Sequence, residues 1–378
     1  PGAWPLIAAR AFLGLGAATM MPATLALIRI TFSDERERNT AIGVWGSVAV
    51  VGAALGPVLG GLLLEYFWWG SVFLINVPIV VAALVLTVAV APPNMPNPAK
   101  HWDARSSLYA LVTLSSLVTA IKEAANPDRT GWLLAAAALS AVLGASVFVR
   151  RQRRLDDPLL TFDVFRSRIF SGGVLAASGA MFAVAGLELL TTQRFQLVAG
   201  YSPLEAGLIV VAVTVAAFPF SLLGGASLHR AGFAPLISGG FLAVASGVGT
   251  AAWAGGHDAL PLFIAALALV GAGAGAIMSV SSTAIIGSAP IRRAGMAAGV
   301  EAVSYEFGTL LSVAVLGSLL PLLYARSAGG DMLTGLDGAA YDDAYLTILL
   351  IISALAAVFA AVTGWCFRDN PKGAHAPE

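Results

Sequence analysis

Four charged residues inside long apolar stretches of this sequence stand out, and their types and positions make them the best candidates for chemistry. Glu306 and Glu301 fall in one stretch, Glu188 in a second and Arg10 in a third. A charge inside a membrane span is costly unless it has a partner or a wet cavity, so such residues mark candidate functional sites. Burial favours the protonated form of a carboxyl group and a nearby cation favours its charged form. One acid can therefore bind a proton or another cation, which is the simplest chemistry for exchanging the two.

The three acids differ in their expected depth. Glu306 lies near the middle of its stretch and is the deepest acid in the sequence. Glu301, five residues earlier, is turned by about 140° from it on a helix, so both acids can border one broad cavity without sharing a narrow face. Glu188 lies toward the outer end of its stretch. Structural roles are also open: a hydrogen-bonded carboxyl group for Glu306, a group reaching the inner headgroups for Glu301 and a solvated acid for Glu188.

The composition indicates what must position these residues. Hydrophobic residues make up 58% of the 378 residues and charged residues only 11%, whereas a soluble domain has about 25% charged residues. We therefore expect an all-α integral membrane protein. The formal net charge is zero, which gives no general attraction to nucleic acid. The single cysteine, Cys366, excludes an internal disulfide and a multi-cysteine metal site.

Eleven apolar stretches have the length of a membrane span. Their approximate limits are 4–30, 41–64, 72–91, 106–121, 131–149, 169–191, 203–227, 233–254, 259–284, 295–320 and 344–367. Most of the 21 lysines and arginines lie in the odd-numbered connections and in the tail. By the positive-inside rule, these connections and the C-terminus face the cytoplasm. Pro1 would then lie outside with no polar segment ahead of it, and we expect a chain whose first helices are missing.

Other kinds of chemistry lack the residues they need. The sequence has no G-x-x-x-x-G-K-[S/T] phosphate-binding loop, and no Ser-His-Asp or metal-ligand cluster is apparent. We expect no ATP-driven step, no enzymatic activity, no metal and no cofactor. The aromatic residues Phe182, Tyr305, Phe307 and Trp253 are candidates to line a cavity and meet a lipophilic cation, although such residues more often face lipid or fill the core.

Glycines and one proline distinguish the second stretch. Gly52, Gly56 and Gly60 are four residues apart and share one helix face, where another backbone can come close. Pro57 removes a backbone donor and bends the helix, and Gly61 ends the run. A crowded helix contact would account for the glycines alone. The whole pattern, G-x-x-x-G-P-x-x-G-G, resembles the antiporter motif that the major facilitator superfamily carries on its fifth helix.

Arg10, Gly14 and Gly16 are similar to a second motif of that family, R-x-x-x-G-x-G on its fourth helix. The arginine of that motif is implicated in proton coupling. Leu13 stands where many members have glutamine, which weakens a hydrogen-bonding role at that position. An arginine that snorkels to the outer interface is the alternative for Arg10.

Three more stretches resemble quaternary-ammonium and dye exporters of the same family. They are residues 68–78, which join two helices, residues 196–207, and the segment that contains Glu301 and Glu306, which resembles the acid-bearing thirteenth helix of these exporters. The resemblance implies the fourteen-helix drug:proton antiporter branch and the major facilitator fold, with eleven predicted transmembrane helices present of an expected fourteen.

The resemblance also implies a division of the chain. Residues 1–91 would form three spans of the N-terminal half, 92–149 two inserted spans, 150–168 an amphipathic cytoplasmic linker at the lipid headgroups, 169–367 the six-helix C-terminal half and 368–378 a cytoplasmic tail.

The expected function is proton-coupled efflux of lipophilic or quaternary-ammonium cations and other drugs across the cytoplasmic membrane. Glu306, Glu301, Glu188 and Arg10 would couple protons to substrate. The expected partners are a small-molecule drug, protons and membrane lipid, with no nucleic acid, and the oligomeric state is open. Two alternatives remain: export of a neutral or anionic antibiotic or metabolite by the same fold, and a non-transporting membrane sensor or inactive fragment.

Overall fold

The computed structural model describes the chain except for residues 1, 33, 35–36, 38–40, 42–51, 53–54, 91–102, 127–128, 156–157, 258, 290–292, 328–336 and 369–378. Most of the tail and the beginning of the second expected span therefore lie outside the described residues. Within the described residues the α-helices are α1 Ala3–Thr31, α2 Leu55–Tyr66, α3 Ser71–Leu74, α4 Asn76–Val90, α5 Ala104–Ala125, α6 Gly131–Gln152, α7 Arg168–Leu197, α8 Pro203–Ala231, α9 Phe233–Gly255, α10 Leu260–Gly287, α11 Ala294–Ser327 and α12 Gly338–Phe367. A short 3-10 helix, Phe162–Arg166, precedes α7.

These helices confirm the all-α prediction. Nine described helices are long and apolar enough to cross a membrane when α3 and α4 are counted as one, Ser71–Val90. Helix α1, which includes the shorter apolar stretch Trp4–Met20, falls in the first expected span, and Leu55–Tyr66 falls in the second. Each of the eleven expected spans therefore contains a helix. The fourth is longer than expected because Asp103 caps α5 by accepting a hydrogen bond from the Ser106 amide.

The chain divides into two compact units, Pro1–His101 and Trp102–Glu378. In the first unit, aromatic rings cluster between α2 and α4. Trp68 and Trp69 meet edge to face with ring centroids 5.7 Å apart, and Trp69 meets Phe73 in the same way at 6.1 Å. Apolar side chains of α4 are widely exposed, with Val88 at 80%, as expected for a helix that lipid surrounds.

In the second unit, α7 to α12 pack as two interlocked groups of three. Helix α7 contacts α11 and α12, while α10 contacts α8 and α9. The remaining main contacts join α7 to α10 and α9 to α12. The same set of contacts is obtained when α7, α8 and α9 are exchanged for α10, α11 and α12. This symmetry is expected of inverted repeats in membrane transporters.

Glycines on α10 allow its close contacts. A Cβ atom added at Gly271 or Gly275 would overlap the backbone of α8 at Val213 and Ala217. On another face of α10, an added Cβ at Gly273 would overlap the carbonyl oxygen of Gly240 on α9. Small residues at helix contacts let backbones approach each other in lipid, and here they place α10 at the centre of the bundle.

Helices α5 and α6 form a hairpin that also contacts α11 through α5. The hydroxyl groups of Ser116 and Ser140 lie 3.1 Å apart between the two helices. Where α5 begins and α6 ends, Arg151 pairs with Asp103 at 2.9 Å. Helices α5 and α6 are thus held together both at their middle and at their end.

The segment between α6 and α7 is tied to two helices. The Leu160 amide donates a hydrogen bond to the side chain of Gln152, the last residue of α6, at 3.1 Å. Arg293, beside the start of α11, pairs with Asp163 of the 3-10 helix at 2.6 Å. This hydrogen-bonded pairing holds the pKa of the Asp163 carboxyl below its usual value. The segment therefore links the hairpin of α5 and α6 to the helix that carries Glu301 and Glu306.

Candidate functional site

Helix α11 carries both of the acids that the sequence favours, and a glycine sets its position. Gly308 lies two residues after Glu306, and a Cβ atom there would overlap the Ser178 carbonyl group on α7. One turn further on, the Ser312 hydroxyl donates to the Phe182 carbonyl oxygen at 2.7 Å. The sequence thus brings α11 into direct backbone contact with α7 next to the acids.

Glu301 is partly buried and belongs to a hydrogen-bonded cluster. The Tyr305 hydroxyl lies 3.1 Å from Oε1 of Glu301 and 3.2 Å from the carbonyl oxygen of Met278 on α10. The Ser281 hydroxyl donates to the same carbonyl oxygen at 3.1 Å. We refer to Glu301, Tyr305, Met278 and Ser281 as the Glu301 cluster. It joins α11 to α10 through a titratable group.

Glu306 has a different setting on the same helix. Its side chain is exposed, and it makes no hydrogen bond or ion pair with any residue that the structure describes. The next residue, Phe307, is partly buried. Glu306 therefore presents an open carboxyl group, whereas Glu301 is held by a neighbour.

Glu188 is partly buried on α7. Its backbone carbonyl oxygen accepts a hydrogen bond from Thr192 at 2.7 Å. Its carboxyl group has no hydrogen-bond partner within the described part of the chain, and no bond joins it to Glu301 or Glu306 there. Its role in coupling stays a prediction.

Arg10 lies in the first unit and is exposed. Its guanidinium group stands over the Phe73 ring at 5.2 Å from the centroid, next to the aromatic cluster that also contains Trp69. Such a contact suits an arginine at an aromatic interface. The coupling role that the motif implies for Arg10 stays a prediction.

The glycines of the second stretch present an open face. An added Cβ atom at Gly52, Gly56 or Gly60 would have no described atom within 4 Å. Pro57 is partly buried and Gly61 is buried. The face leaves room for another helix to approach, and the role of the motif stays a prediction.

The four candidate aromatic residues occupy different surroundings. Phe182 is buried in the main core of the second unit, and Tyr305 belongs to the Glu301 cluster. Trp253 is 56% exposed and stacks on His257 with centroids 4.3 Å apart. It lines a groove of about 620 Å³ along α9, to which Ser353 of α12 also contributes. The structure thus places Phe182 in the core, Tyr305 at the contact between α11 and α10, and Trp253 on an exposed face.

Arg194 is a residue to which the sequence analysis gave no role. Its Nε and Nη2 atoms donate to the two carboxylate oxygens of Asp342 at 2.8 and 3.0 Å. The guanidinium group also lies over the rings of Phe195 and Tyr345, at 5.3 and 5.7 Å, and Tyr345 is hydrogen-bonded to Thr191 at 2.9 Å. The sequence offered one signal for this pair: an arginine near the end of one span and an acid near the start of the last span.

The described residues contain no group of three histidine, cysteine, aspartate or glutamate side chains that could hold a metal ion. Membrane-length helices, an inverted three-helix repeat and acids on a helix within it define a multi-pass membrane protein with the architecture of a transporter. The family model of the Major Facilitator Superfamily matches residues 1–192. The chain belongs to this superfamily, which is a family of transporters rather than of enzymes.

Relatives with recorded names agree with this assignment. The chain is 36% identical over 333 residues to the methyl viologen resistance protein SmvA of Salmonella typhimurium, covering 85% of this chain and 65% of SmvA. It is 33% identical over 404 residues to the multidrug efflux pump LfrA of Mycolicibacterium smegmatis, covering 97% of this chain and 79% of LfrA. The chain therefore spans just under two thirds of the length of SmvA.

A solved structure supports the fold. A crystal structure of a bacterial homologue of the human lysosomal transporter Spinster, inward-facing and unoccupied, matches 94% of this chain and 76% of its own, with a TM-score of 0.55 and 15% identity. At this identity the likeness concerns the fold alone.

Proposed function

We propose that this chain acts in the efflux of lipophilic or quaternary-ammonium cations across the cytoplasmic membrane in exchange for protons. The names of two relatives, a methyl viologen resistance protein and a multidrug efflux pump, support drug efflux. Methyl viologen carries two quaternary nitrogen atoms, so the first relative also favours cationic substrates. The acids on α11 are the groups of this chain that suit such cations.

One observation carries the proposal: two acids on one helix have opposite settings. Glu306 is exposed and has no partner among the described residues, whereas Glu301 accepts a hydrogen bond from Tyr305. An open carboxyl group can take up a proton or a cation, and each neutralises the charge that would attract the other. Binding at Glu306 would therefore be competitive, which is what exchange requires.

The other candidate residues take supporting roles in this proposal. Glu188 adds a partly buried acid on α7, the helix that packs on α11. Arg10 would assist proton coupling in the first unit. The glycine face of Gly52, Gly56 and Gly60 would close the cytoplasmic side against leakage by close packing.

The proposed orientation follows the distribution of positive charge. The arginine-rich segment 150–168 would be a cytoplasmic linker at the lipid headgroups, between two inserted spans in 92–149 and a six-helix half in 169–367. Residues 1–91 would belong to the first half, and the C-terminal tail 368–378 would face the cytoplasm.

Efflux from whole cells tests the proposal. The complete gene product would be expressed in bacteria without their own drug exporters and loaded with ethidium. We expect efflux that stops when an uncoupler removes the proton gradient and that methyl viologen inhibits. Efflux of a neutral or anionic antibiotic that Glu306→Gln leaves unchanged would instead favour an exporter of neutral or anionic compounds with the same fold. Absence of efflux of every compound, with the protein in the membrane, would favour a sensor.

A further inference from the structure

The hydroxyl group of Tyr305 lies between two hydrogen-bond acceptors. Oε1 of Glu301 is 3.1 Å away and the Met278 carbonyl oxygen is 3.2 Å away. A phenol has one proton to donate, although its oxygen can also accept a hydrogen bond. The two acceptors therefore compete for one proton as long as Glu301 is charged.

When Glu301 is charged, its carboxylate is the stronger acceptor, because a charge-assisted hydrogen bond is roughly twice as strong as a neutral one. The hydroxyl of Tyr305 then donates to Glu301. The Met278 carbonyl oxygen still accepts a hydrogen bond from Ser281, at 3.1 Å. Each polar group of the Glu301 cluster keeps a partner in this arrangement, as most buried polar groups do.

When Glu301 is protonated, it becomes a donor. Its carboxyl group can donate to the Tyr305 oxygen, and the Tyr305 proton is then free to turn to the Met278 carbonyl oxygen on α10. No donor is lost in this exchange and no atom has to move far. The hydrogen bond from α11 to α10 is therefore made fully only in the protonated arrangement.

We propose that Tyr305 is a positioning residue through which proton binding at Glu301 adds a hydrogen bond between α11 and α10. The inference deepens the proposed function and rests on it, because Glu301 is one of the proposed coupling acids. Proton uptake would tighten the contact between two helices of the C-terminal half. Tyr305 would act through hydrogen bonding and would not need to touch the substrate.

The surroundings of Tyr305 suit a relay of this kind. Its ring packs against a small apolar cluster that includes Phe170 of α7, Ile285 of α10 and Ala297 of α11. Helix α10 has no ionisable residue between Leu260 and Gly287. Glu301 is thus the titratable group that contacts Tyr305 at this helix contact.

The other elements around α11 also carry charged groups, some of which form ion pairs. On α7 and the 3-10 helix they are Arg168, Glu188, Arg194, Asp163 and Arg166; Asp163 pairs with Arg293 and Arg194 with Asp342. On α5 and α12 they are Arg105, Lys122, Glu123, Asp342 and Asp343. The other acids that could contribute to a pH-dependent signal are Glu306 on α11 and Glu188 on α7.

The first test uses Tyr305→Phe, which keeps the ring and removes the hydroxyl group. Ethidium efflux by the complete gene product would be followed in everted vesicles across a range of pH. We expect the pH midpoint of efflux to differ measurably from that of the wild type, because the two protonation states of Glu301 make different hydrogen bonds with Tyr305. In a Glu301→Gln background, Tyr305→Phe should have no further effect on the pH profile.

Matched controls separate the relay from a general loss of structure. Tyr345→Phe removes another buried tyrosine hydroxyl group, which bonds to Thr191 instead of an acid, and should leave the pH midpoint unchanged. An unshifted profile in Tyr305→Phe, or an equal shift in the Glu301→Gln background, would overturn the inference.

Infrared difference spectroscopy of the purified protein tests the relay without transport. The carboxyl band that appears on acidification and is lost in Glu301→Gln should change frequency in Tyr305→Phe. The same frequency in both proteins would overturn the relay even if efflux is observed. Absence of efflux by the wild-type protein would count against the proposed function, and the infrared band would still decide the relay.

Discussion

The carboxylate of Glu301 accepts a hydrogen bond from Tyr305 at 3.1 Å, whereas that of Glu306, five residues further along α11, is exposed and has no described partner. Five residues turn a helix by about 140°, so the two acids leave α11 in different directions. Glu301 points to the contact with α10, through Tyr305 and Met278. The side chain of Glu306 is exposed on another side of α11. The two acids are therefore suited to different tasks, one to helix contact and the other to binding.

The position of these acids depends on Gly308. We expect Gly308→Val to lower the thermal unfolding midpoint of the purified protein, because its side chain would overlap the Ser178 carbonyl group on α7, and overpacking costs about 1–3 kcal/mol. Gly299→Val on the same helix is the matched control, since an added Cβ there has no described atom within 4 Å. Equal unfolding midpoints for the two variants would contradict this account of α11.

The pair of Arg194 and Asp342 should stabilise the contact between α7 and α12. Arg194→Ala leaves Asp342 without its two hydrogen bonds, and we expect a loss of about 2 kcal/mol of stability. The double variant with Asp342→Ala should lose less than the sum of the single losses, because both partners are then absent. Denaturant unfolding of all four proteins measures this coupling. Additive losses would show that the pair contributes no coupling.

The capping contact of α5 should be insensitive to pH in the physiological range. Hydrogen bonds from Arg151 and Ser106 lower the pKa of the Asp103 carboxyl to about 2. A lowered pKa gives stability that is present above the unfolded value, near 3.9, and is lost as the pH falls through about 2. The difference in unfolding midpoint between wild type and Asp103→Asn should therefore be constant from about pH 5 to 8. A difference that changes within this range would contradict the assignment.

The ion pair between Asp163 and Arg293 should matter for function more than for stability. Both side chains are substantially exposed, and exposed pairs contribute about 0–1 kcal/mol. We expect Asp163→Arg to slow efflux with little change in the unfolding midpoint, because the pair ties the segment between α6 and α7 to the start of α11. Reversing both charges, with Arg293→Asp added, should restore the rate. Unchanged efflux in Asp163→Arg would show that transport does not need this ion pair.

Much of the fold could be predicted from the sequence because a bilayer fixes both the length and the polarity of a span. Even the first two stretches contain helix where the apolar pattern indicated it, in α1 and in α2. Asp103, just ahead of the fourth stretch, extends that helix beyond its predicted limits by capping it.

The partners of the site residues could not be predicted in the same way. Tyr305 bonds to Met278, 27 residues away on another helix, and Arg194 to Asp342, 148 residues away. Such contacts depend on how helices are rotated against each other, which the packing of small residues such as Gly308 sets. Helices that are apolar on every side carry little periodic signal for this rotation. For the same reason, the sequence could not separate the buried Phe182 from the exposed Trp253.

Proton movement in everted membrane vesicles tests the central claim of proton–cation exchange at Glu306 most directly. Vesicles containing the complete gene product would be energised, and a pH-sensitive dye would follow the acidic interior. Adding ethidium or methyl viologen should release protons from vesicles with the wild-type protein. Glu306→Gln should abolish this release, whereas Glu37→Gln, at an exposed acid outside the predicted spans, should retain it. Proton release that survives Glu306→Gln, or ethidium transport by the wild-type protein without proton release, would contradict the account.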